Sequence, residues 1–278
     1  MTKLPFIKMH GAGNDYVFVD CLTNMIENPS EFAVNISDRH FGVGSDGLVL
    51  ILPSQIADCR MQMFNSDGSQ GRMCGNAIRC VGKYFYENYL QQDVLKIETL
   101  SGIRTLEIFA RNNIVTEVRV DMGFANFSSK NIPIDTKSAT CINLPLEIED
   151  KIYHITAVSM GNPHCVVFCR NVDEVPLATI GTKFEHHSIF PENVNTEFVQ
   201  IIDSQTIKMR VWERGSGETL ACGTGACAAI AAAVKNGLLK PNTEVCVCLK
   251  GGKLYVRCND DYQIFMKGDA VEVFRGEF

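Results

Sequence analysis

The chain contains an internal duplication with a constant offset of 148 positions, and this repeat constrains its architecture more than any other feature. Three pairs of residues keep the offset (for the first, 222 minus 74): Cys74 and Cys222, Asn14 and Asn162, and Asn65 and Glu213. Each cysteine is followed by small residues that open a helical pattern, and a strand-like run precedes each of them. Internal self-similarity sets the architecture of a chain, so a single duplication within 278 residues predicts two similar domains.

The repeats predict an α+β fold, because each has many short strand-like runs and one long helix that follows its cysteine. We expect two pseudo-symmetric domains, each a mostly antiparallel sheet around a long helix, with the active site in the cleft between them. The strand-like Ala270–Phe274 is left over at the end of the second repeat and is expected to return to the first. The predicted domains are therefore residues 1–121 with about 268–278, and residues 122–267.

Composition and charge narrow the function classes. The formal net charge of −6 argues against nucleic acid or an anionic membrane as a partner. No apolar window approaches the ~20 residues that span a bilayer, and the first eight residues have no apolar core of a signal peptide. We therefore expect a cytoplasmic protein whose 12 cysteines are reduced, most of them as core filling.

The segment Gly42–Gly47 matches the pattern G-x-G-x-x-G. In dinucleotide-binding folds this pattern follows a strand and opens a helix, so that the pyrophosphate meets a helix N-terminus. Here the glycines lead instead into the strand-like run Leu48–Leu52. The pattern predicts a turn or a ligand-lining loop.

The two cysteines stand where a helix begins, and this position has chemical consequences. Free backbone N–H groups and the helix dipole favour an anion there, so both thiols are expected to have a lowered pKa. The small pairs that follow, Gly75-Asn76 and Gly223-Thr224, leave those N–H groups open to a carboxylate.

Two such thiols on opposite faces of one carbon would invert its configuration. One thiolate removes the α-proton and the other thiol delivers a proton to the opposite face, with no need of a cofactor or a metal. His164 and the pair Glu213-Arg214 could tune the thiols or relay a proton. For His164 and Glu213 a structural role is an equally good interpretation, and an isolated asparagine is more often a turn residue than a ligand.

Six segments together resemble the diaminopimelate epimerase family over nearly the whole chain. They are residues 11–15 (GAGND), 64–69 (FNSDGS), 73–76 (MCGN), 161–164 (GNPH), 213–215 (ERG) and 221–225 (ACGTG). Proline racemases and phenazine-biosynthesis isomerases share the fold, but the former carry a histidine where this chain has Asn76, and the latter lack the cysteine pair.

The resemblance implies a reaction independent of pyridoxal phosphate, between L,L- and meso-diaminopimelate, in lysine and cell-wall precursor synthesis. It implies that Cys74 removes the α-proton of the L,L-isomer and Cys222 that of the meso form. It also implies a homodimer. The residues that the resemblance assigns to the substrate are Gly75, Asn76, Gly223 and Thr224 at the reacting carboxylate, Asn65, Asn195, Glu213 and Arg214 at the distal end, and Asn14 and Asn162 along the pocket. His164 and Glu213 match positions that adjust the pKa of the cysteines.

One position departs from the family pattern. Many members have glutamine where this chain has Gly47, which lies 148 positions before Asn195. A glycine offers only its backbone to a substrate, so contact at Gly47 is expected through the main chain.

Two other functions compete with this interpretation. A racemase or isomerase of the same fold could act on another substrate. A thiol redox or zinc-binding protein is a different class, but neither Cys74 nor Cys222 lies in a Cys-x-x-Cys motif.

Overall fold

The structure is a computed structural model that describes residues 3–278; Met1 and Thr2, the start of the N-terminal segment considered above, lie outside the described residues. The chain divides into two compact units. The first comprises the described residues up to Asp121 together with Lys267–Phe278, and the second comprises Met122–Met266.

Strands dominate both halves of the chain. The first half contains β1 (Pro5–Gly11), β2 (Asn14–Asp20), α1 (Pro29–Ser37), β3 (Gly47–Leu52), β4 (Cys59–Asn65), β5 (Gln70–Gly71), α2 (Gly75–Asn88), β6 (Val94–Thr99), β7 (Gly102–Arg111) and β8 (Ile114–Phe124). The second half contains β9 (Leu144–Ile148), β10 (Lys151–Ser159), β11 (Pro163–Phe168), a 3-10 turn (Val172–Glu174), α3 (Leu177–Glu185), β12 (Asn195–Asp203), β13 (Thr206–Glu213), β14 (Gly217–Glu218), α4 (Gly223–Lys235), β15 (Glu244–Leu249), β16 (Gly252–Cys258), β17 (Gln263–Gly268) and β18 (Val271–Glu277).

The two units share one strand order. In the first, hydrogen bonding runs β18–β1–β2–β3–β4–β6–β7–β8, antiparallel except at β2–β3 and β4–β6. In the second it runs β9–β10–β11–β12–β13–β15–β16, antiparallel except at β11–β12 and β13–β15. The predicted α+β fold with mostly antiparallel strands is confirmed.

Strand register keeps the offset of 148 at the centre of each unit. Val17 pairs with Leu48 in the first unit, and Cys165 pairs with Thr196 in the second. The register differs at the first turn, because Gly11 pairs with Asn14 whereas Ser159 pairs with Pro163, one residue further on.

Strand β9 is an element that the sequence analysis missed. It pairs antiparallel with β10, the first strand of the second repeat, just as β18 pairs antiparallel with β1. Each repeat therefore has an additional strand beside its first one. In the first unit the C-terminal strand fills that place, as expected from the leftover run at Ala270–Phe274.

A long helix lies at the centre of each sheet. Helix α2 contacts β1, β2, β4, β6 and β7, and α4 contacts β10, β11, β12 and β16. All residues of α2 from Gly75 to Tyr86 are buried, as are all residues from Gly225 to Ala233 in α4. Contact with strands on all sides means that each sheet curls around its helix, and the alanines of α4 let the strands approach closely.

The remaining local predictions concern loops and cysteines. The glycine pattern at Gly42–Gly47 leads into strand β3 and not into a helix. Gly237 follows the end of α4 with a φ of 71°, and Leu238 N donates to Ala233 O at 2.9 Å, which closes the helix. All 12 cysteines are free thiols. Within residues 3–278, no helix has both the length and the apolar character needed to cross a bilayer.

Candidate functional site

Cys74 caps the N-terminus of α2 with its own sulfur. Its backbone is extended, with a φ of −129°, and Sγ accepts a hydrogen bond from Ala77 N at 3.5 Å. The thiol donates to Asn14 Oδ1 at 3.4 Å, and Asn76 Nδ2 donates to the same oxygen at 3.3 Å. Asn14 is in turn held by Asp46, whose Oδ2 accepts from Asn14 Nδ2 at 2.8 Å. The first unit thus brings Asn14, Cys74 and Asn76 together.

Tyr16 and Arg79 also act on the Cys74 thiol, and the sequence analysis named neither. Tyr16 lies two residues after Asn14 on β2, so both side chains lie on the same face of the strand. Arg79 is fully buried in α2, where its Nη1 donates to Gly75 O at 3.0 Å and its Nε to Asp269 O at 3.0 Å. A fixed guanidinium therefore stands next to the first turn of the cysteine helix.

Asn65 and Gly47 lie opposite each other on β4 and β3. Asn65 is exposed, and its Nδ2 donates to Ser69 Oγ at 2.9 Å. A Cβ added at Gly47 would collide with Phe64 O and would lie 2.9 Å from Tyr16 Cε1. No side chain fits there without moving the strand, which explains physically why this chain has glycine where glutamine is common.

Cys222 caps α4 in the same way. Its φ is −119°, Sγ accepts from Gly225 N at 3.3 Å, and Thr224 Oγ1 lies 3.5 Å from Sγ. Thr224 Oγ1 also accepts from Asn162 Nδ2 at 3.4 Å. The second unit thus brings Asn162, Cys222 and Thr224 together, as the first does with their counterparts.

His164 is completely buried between two acceptors. Its Nδ1 lies 2.7 Å from Glu197 Oε1, and its Nε2 lies 3.0 Å from Asn162 Oδ1. Glu197 is likewise completely buried. The sequence analysis missed Glu197 because a single glutamate inside the strand-like run Thr196–Ile202 carries no motif; a charge in the middle of an otherwise apolar strand is the one signal that could have revealed it.

The end of β13 positions the remaining polar groups. Glu213 Oε1 accepts from Thr219 Oγ1. The amide of Arg214 donates to Asn195 Oδ1 at 2.9 Å, and Arg214 Nη1 donates to Glu192 O at 3.0 Å while the side chain stays exposed. Asn195 therefore fixes the backbone from which Arg214 projects.

Burial raises the pKa of both thiols. At Cys74 the burial effect outweighs hydrogen bonds from the amides of Ala77 and Asn76, a hydrogen bond from Tyr16 and the charge of Arg79, all of which lower the pKa. At Cys222 burial and the charges of Glu213 and Glu197 place the pKa well above its ordinary value. The prediction that the helix N-terminus gives both thiols a lowered pKa is therefore wrong, because desolvation of the thiolate is the larger effect.

Burial also raises the pKa of the Glu213 carboxyl, although hydrogen bonds from Thr219 and Cys222 lower it in part. Within residues 3–278, no group of three or more His, Cys, Asp or Glu side chains is arranged to hold a metal ion. The chemistry that this arrangement offers is proton transfer by thiols.

Comparison with known proteins identifies the family. The model of the diaminopimelate epimerase family matches residues 6–128 and 156–273. A diaminopimelate epimerase of Acetivibrio thermocellus is 52% identical over 274 residues, covering 98% of this chain and 97% of that protein. One of Methanococcus maripaludis is 51% identical, covering 99% of both chains.

The chain belongs to the diaminopimelate epimerase family. The predicted resemblance is thereby confirmed, and the protein is an isomerase.

Solved structures support the same fold at lower identity. A phenazine biosynthesis protein of the PhzF family from Bacillus anthracis superposes with a TM-score of 0.74 at 21% identity, covering 100% of this chain and 99% of the other. A hydroxyproline epimerase from Agrobacterium vitis superposes with a TM-score of 0.71 at 13% identity, covering 100% and 91%.

Proposed function

We propose that this protein interconverts L,L- and meso-diaminopimelate without a cofactor, using Cys74 and Cys222 as the two acid–base groups. The observation that carries the proposal is the equivalence of the two thiols. Each caps the helix of its own repeat and accepts a hydrogen bond from the amide three residues on. In an inversion one thiolate removes the α-proton and the other thiol returns a proton to the opposite face.

The helix ends suit the charge that develops during this reaction. Deprotonation places negative charge on the α-carbon and its carboxylate, and backbone N–H groups at a helix N-terminus stabilise such charge. We assign the reacting carboxylate to the first turns of α2 and α4, at Gly75-Asn76 and Gly223-Thr224. Asn14 and Asn162 hold the neighbouring positions, since each is already hydrogen-bonded to a member of these turns.

The distal amino acid group of the substrate needs both a carboxylate partner and an ammonium partner. The exposed guanidinium of Arg214 can bind a carboxylate through two donors, and the carboxylate of Glu213 with the amides of Asn65 and Asn195 can bind the ammonium group. Gly47 offers only its main chain. His164 and Glu213 adjust the pKa of Cys222.

Isotope exchange tests the proposal directly. L,L-diaminopimelate incubated with the reduced enzyme in deuterated water, without pyridoxal phosphate, should gain α-deuterium with inversion. Replacing Cys74 or Cys222 by serine should slow inversion by about 10²–10⁴-fold, the usual contribution of a general acid or base.

Two buried cysteines on the same helices provide matched controls. Cys80→Ala in α2 and Cys227→Ala in α4 remove a thiol that lies further along each helix, and both variants should keep exchanging. Unchanged inversion in Cys74→Ser or Cys222→Ser would eliminate the two-thiol mechanism. Exchange with another amino acid, but not with diaminopimelate, would redirect the function to a racemase of the same fold.

The cellular compartment and the oligomeric state are also part of the proposal. We place the enzyme in the cytoplasm, which agrees with twelve thiols that are all free. We also propose a homodimer, supported by the exposed apolar side chains Val271, Val273 and Phe274 on β18, and sedimentation equilibrium measures this directly. Each of the two units then serves as one epimerase domain that contributes one thiol.

A further inference from the structure

A buried carboxylate lies beside the first turn of the Cys222 helix, and the proposed reaction leaves it without a role. Glu197 is 0% exposed, and within residues 3–278 its Oε2 has no hydrogen-bond partner. A Cβ added at Gly225 would lie 2.5 Å from Glu197 Oε1 and 3.2 Å from Cys222 Sγ. Glu197 Oε1 and Cys222 Sγ therefore both lie close to this Cβ position. The distance between the two atoms cannot exceed the sum of these two distances.

The first unit has no such carboxylate. At the offset of 148, Glu197 corresponds to Val49 and Gly225 corresponds to Ala77. Val49 is completely buried in β3, at the register position that Glu197 occupies in β12. The second repeat therefore has a glutamate where the first has a valine. Its helix has Gly225 where the first has Ala77, and the Cβ of an alanine at Gly225 would collide with the Glu197 carboxylate.

Hydrogen bonds join this carboxylate to the thiol by a second route. His164 Nδ1 lies 2.7 Å from Glu197 Oε1, and its Nε2 lies 3.0 Å from Asn162 Oδ1. Asn162 then donates to Thr224 Oγ1, which lies 3.5 Å from Cys222 Sγ. Glu197 therefore contacts His164 directly and is linked to Cys222 through His164, Asn162 and Thr224.

We propose that Glu197 is a positioning residue that holds His164 in place and keeps the proton on Cys222, so that the resting enzyme carries Cys222 as the thiol and Cys74 as the base. The proposal rests on the two-thiol function above. It assigns the resting enzyme to removal of the α-proton from the L,L-isomer, with Cys222 as the proton donor.

The charges around each sulfur support this assignment. Cys222 faces Glu197 on β12 and Glu213 at the end of β13, and His164 on β11 is linked to the sulfur only through Asn162 and Thr224. After burial, these two carboxylates are the main causes that raise the pKa of Cys222. Glu197 similarly raises the pKa of its other neighbour, Cys165, after burial.

Around Cys74 the balance of charge is reversed. Arg79 in the same helix lowers the pKa of Cys74, and its counterpart at the offset of 148 is the uncharged Cys227. One thiol therefore has a fixed cation in its helix, whereas the other has two carboxylates beside it.

Alkylation tests the proposal without substrate, so its outcome is independent of the epimerase assignment, which isotope exchange decides. The rate of reaction of each cysteine with iodoacetamide is followed against pH by peptide mass spectrometry. In the wild-type enzyme the midpoint for Cys222 should lie above that for Cys74. In Glu197→Gln the Cys222 midpoint should fall by about one pH unit, as for removal of a nearby like charge, and the Cys74 midpoint should stay in place.

A buried carboxylate elsewhere in the same unit provides the matched control. Glu185 is 6% exposed and accepts hydrogen bonds from Trp212 Nε1 and Gly215 N. Glu185→Gln should leave the Cys222 midpoint unchanged, although it also removes a buried charge. The same fall in both variants would show that loss of any buried carboxylate loosens the unit, and would overturn the specific role of Glu197.

A second variant covers the case in which Glu197→Gln does not fold. The double substitution Glu197→Val with Gly225→Ala installs the residue pair that the first unit already packs at Val49 and Ala77, and it should lower the Cys222 midpoint in the same direction. A Cys222 midpoint that stays or rises in either folded variant would overturn the proposal. A wild-type midpoint for Cys222 below that for Cys74 would overturn it without any substitution.

Discussion

At the scale of single residues, the Cys74 and Cys222 thiols cap their helices in the same way, but different neighbouring side chains act on their pKa values. Tyr16 and His164 occupy the same position at the offset of 148, each two residues after the asparagine that approaches a thiol-bearing turn. The Tyr16 phenol forms a hydrogen bond that lowers the pKa of Cys74, and that thiol in turn adds to the burial that raises the pKa of Tyr16. A tyrosine phenol thus serves one thiol, and a buried histidine–glutamate pair stands near the other.

Removing the Tyr16 hydroxyl should therefore affect Cys74 alone. Tyr16→Phe takes away a donor to the thiolate, so the alkylation midpoint of Cys74 should rise by about one pH unit. The rate of L,L-diaminopimelate turnover at neutral pH should fall with it. Cys222 in the same sample is the internal control, and Tyr86→Phe, at another buried tyrosine of the first unit, should change neither midpoint. A Cys74 midpoint that does not move would contradict the role of the phenol.

At the scale of elements, close packing decides which residues the central helices accept. Gly82 lies in the middle of α2, where glycine costs about 1 kcal/mol relative to alanine through its backbone entropy. A Cβ at Gly82 would lie 2.6 Å from Leu106 Cδ2 on β7. Helix propensity and packing therefore make opposite demands at this position.

Packing should prevail in Gly82→Ala, with a loss of about 1–3 kcal/mol in the free energy of unfolding, the usual cost of overpacking. Urea denaturation measures this loss. Leu106→Ala alone should also destabilise, because it empties a fully buried site. The double variant should be more stable than the two losses added together, since the new methyl group fills the space that Leu106 leaves. Strict additivity would show that the two residues do not meet.

At the scale of the whole molecule, buried thiols link stability to alkaline pH. Burial raises the pKa of Cys59, Cys80 and Cys258 to about 12, from an ordinary value of 9.0. Between these values the folded protein retains protons that the unfolded chain has lost. The folded state therefore has its full stability below pH 9 and loses stability as the pH rises towards 12. The loss occurs because the unfolded chain can form thiolates at this pH, whereas the folded protein keeps these thiols protonated.

The free energy of unfolding should accordingly fall as the pH rises above 9 under reducing conditions. Each such thiol contributes a slope of about 1.4 kcal/mol per pH unit. Cys59→Ala should lower the free energy of unfolding at pH 8. It should also make the decline of that free energy between pH 9 and 11 less steep, by the slope that one titrating thiol contributes. The slope is the diagnostic quantity, because a cavity lowers stability equally at every pH. An unchanged slope would mean that Cys59 does not remain protonated in the folded state.

Residue spacing along the chain was enough to predict the duplication, the fold class and the family. These features depend on periodicity and spacing along the chain. The offsets between Asn14 and Asn162 and between Cys74 and Cys222 can be read from the sequence whatever the packing is. The start of each cysteine helix was also predictable, because capping is a local property of the backbone.

The surroundings of each thiol, in contrast, depend on how distant segments pack in the folded protein. The places of β9 and β18 beside the first strand of each repeat, and of Glu197 beside the Cys222 helix, depend on pairings between distant segments. The direction of the thiol pKa values followed from the same cause. The helix N-terminus acts locally and favours the thiolate. Desolvation of the thiolate comes from strands that pack around the thiols only in the folded protein, and here desolvation is the larger effect.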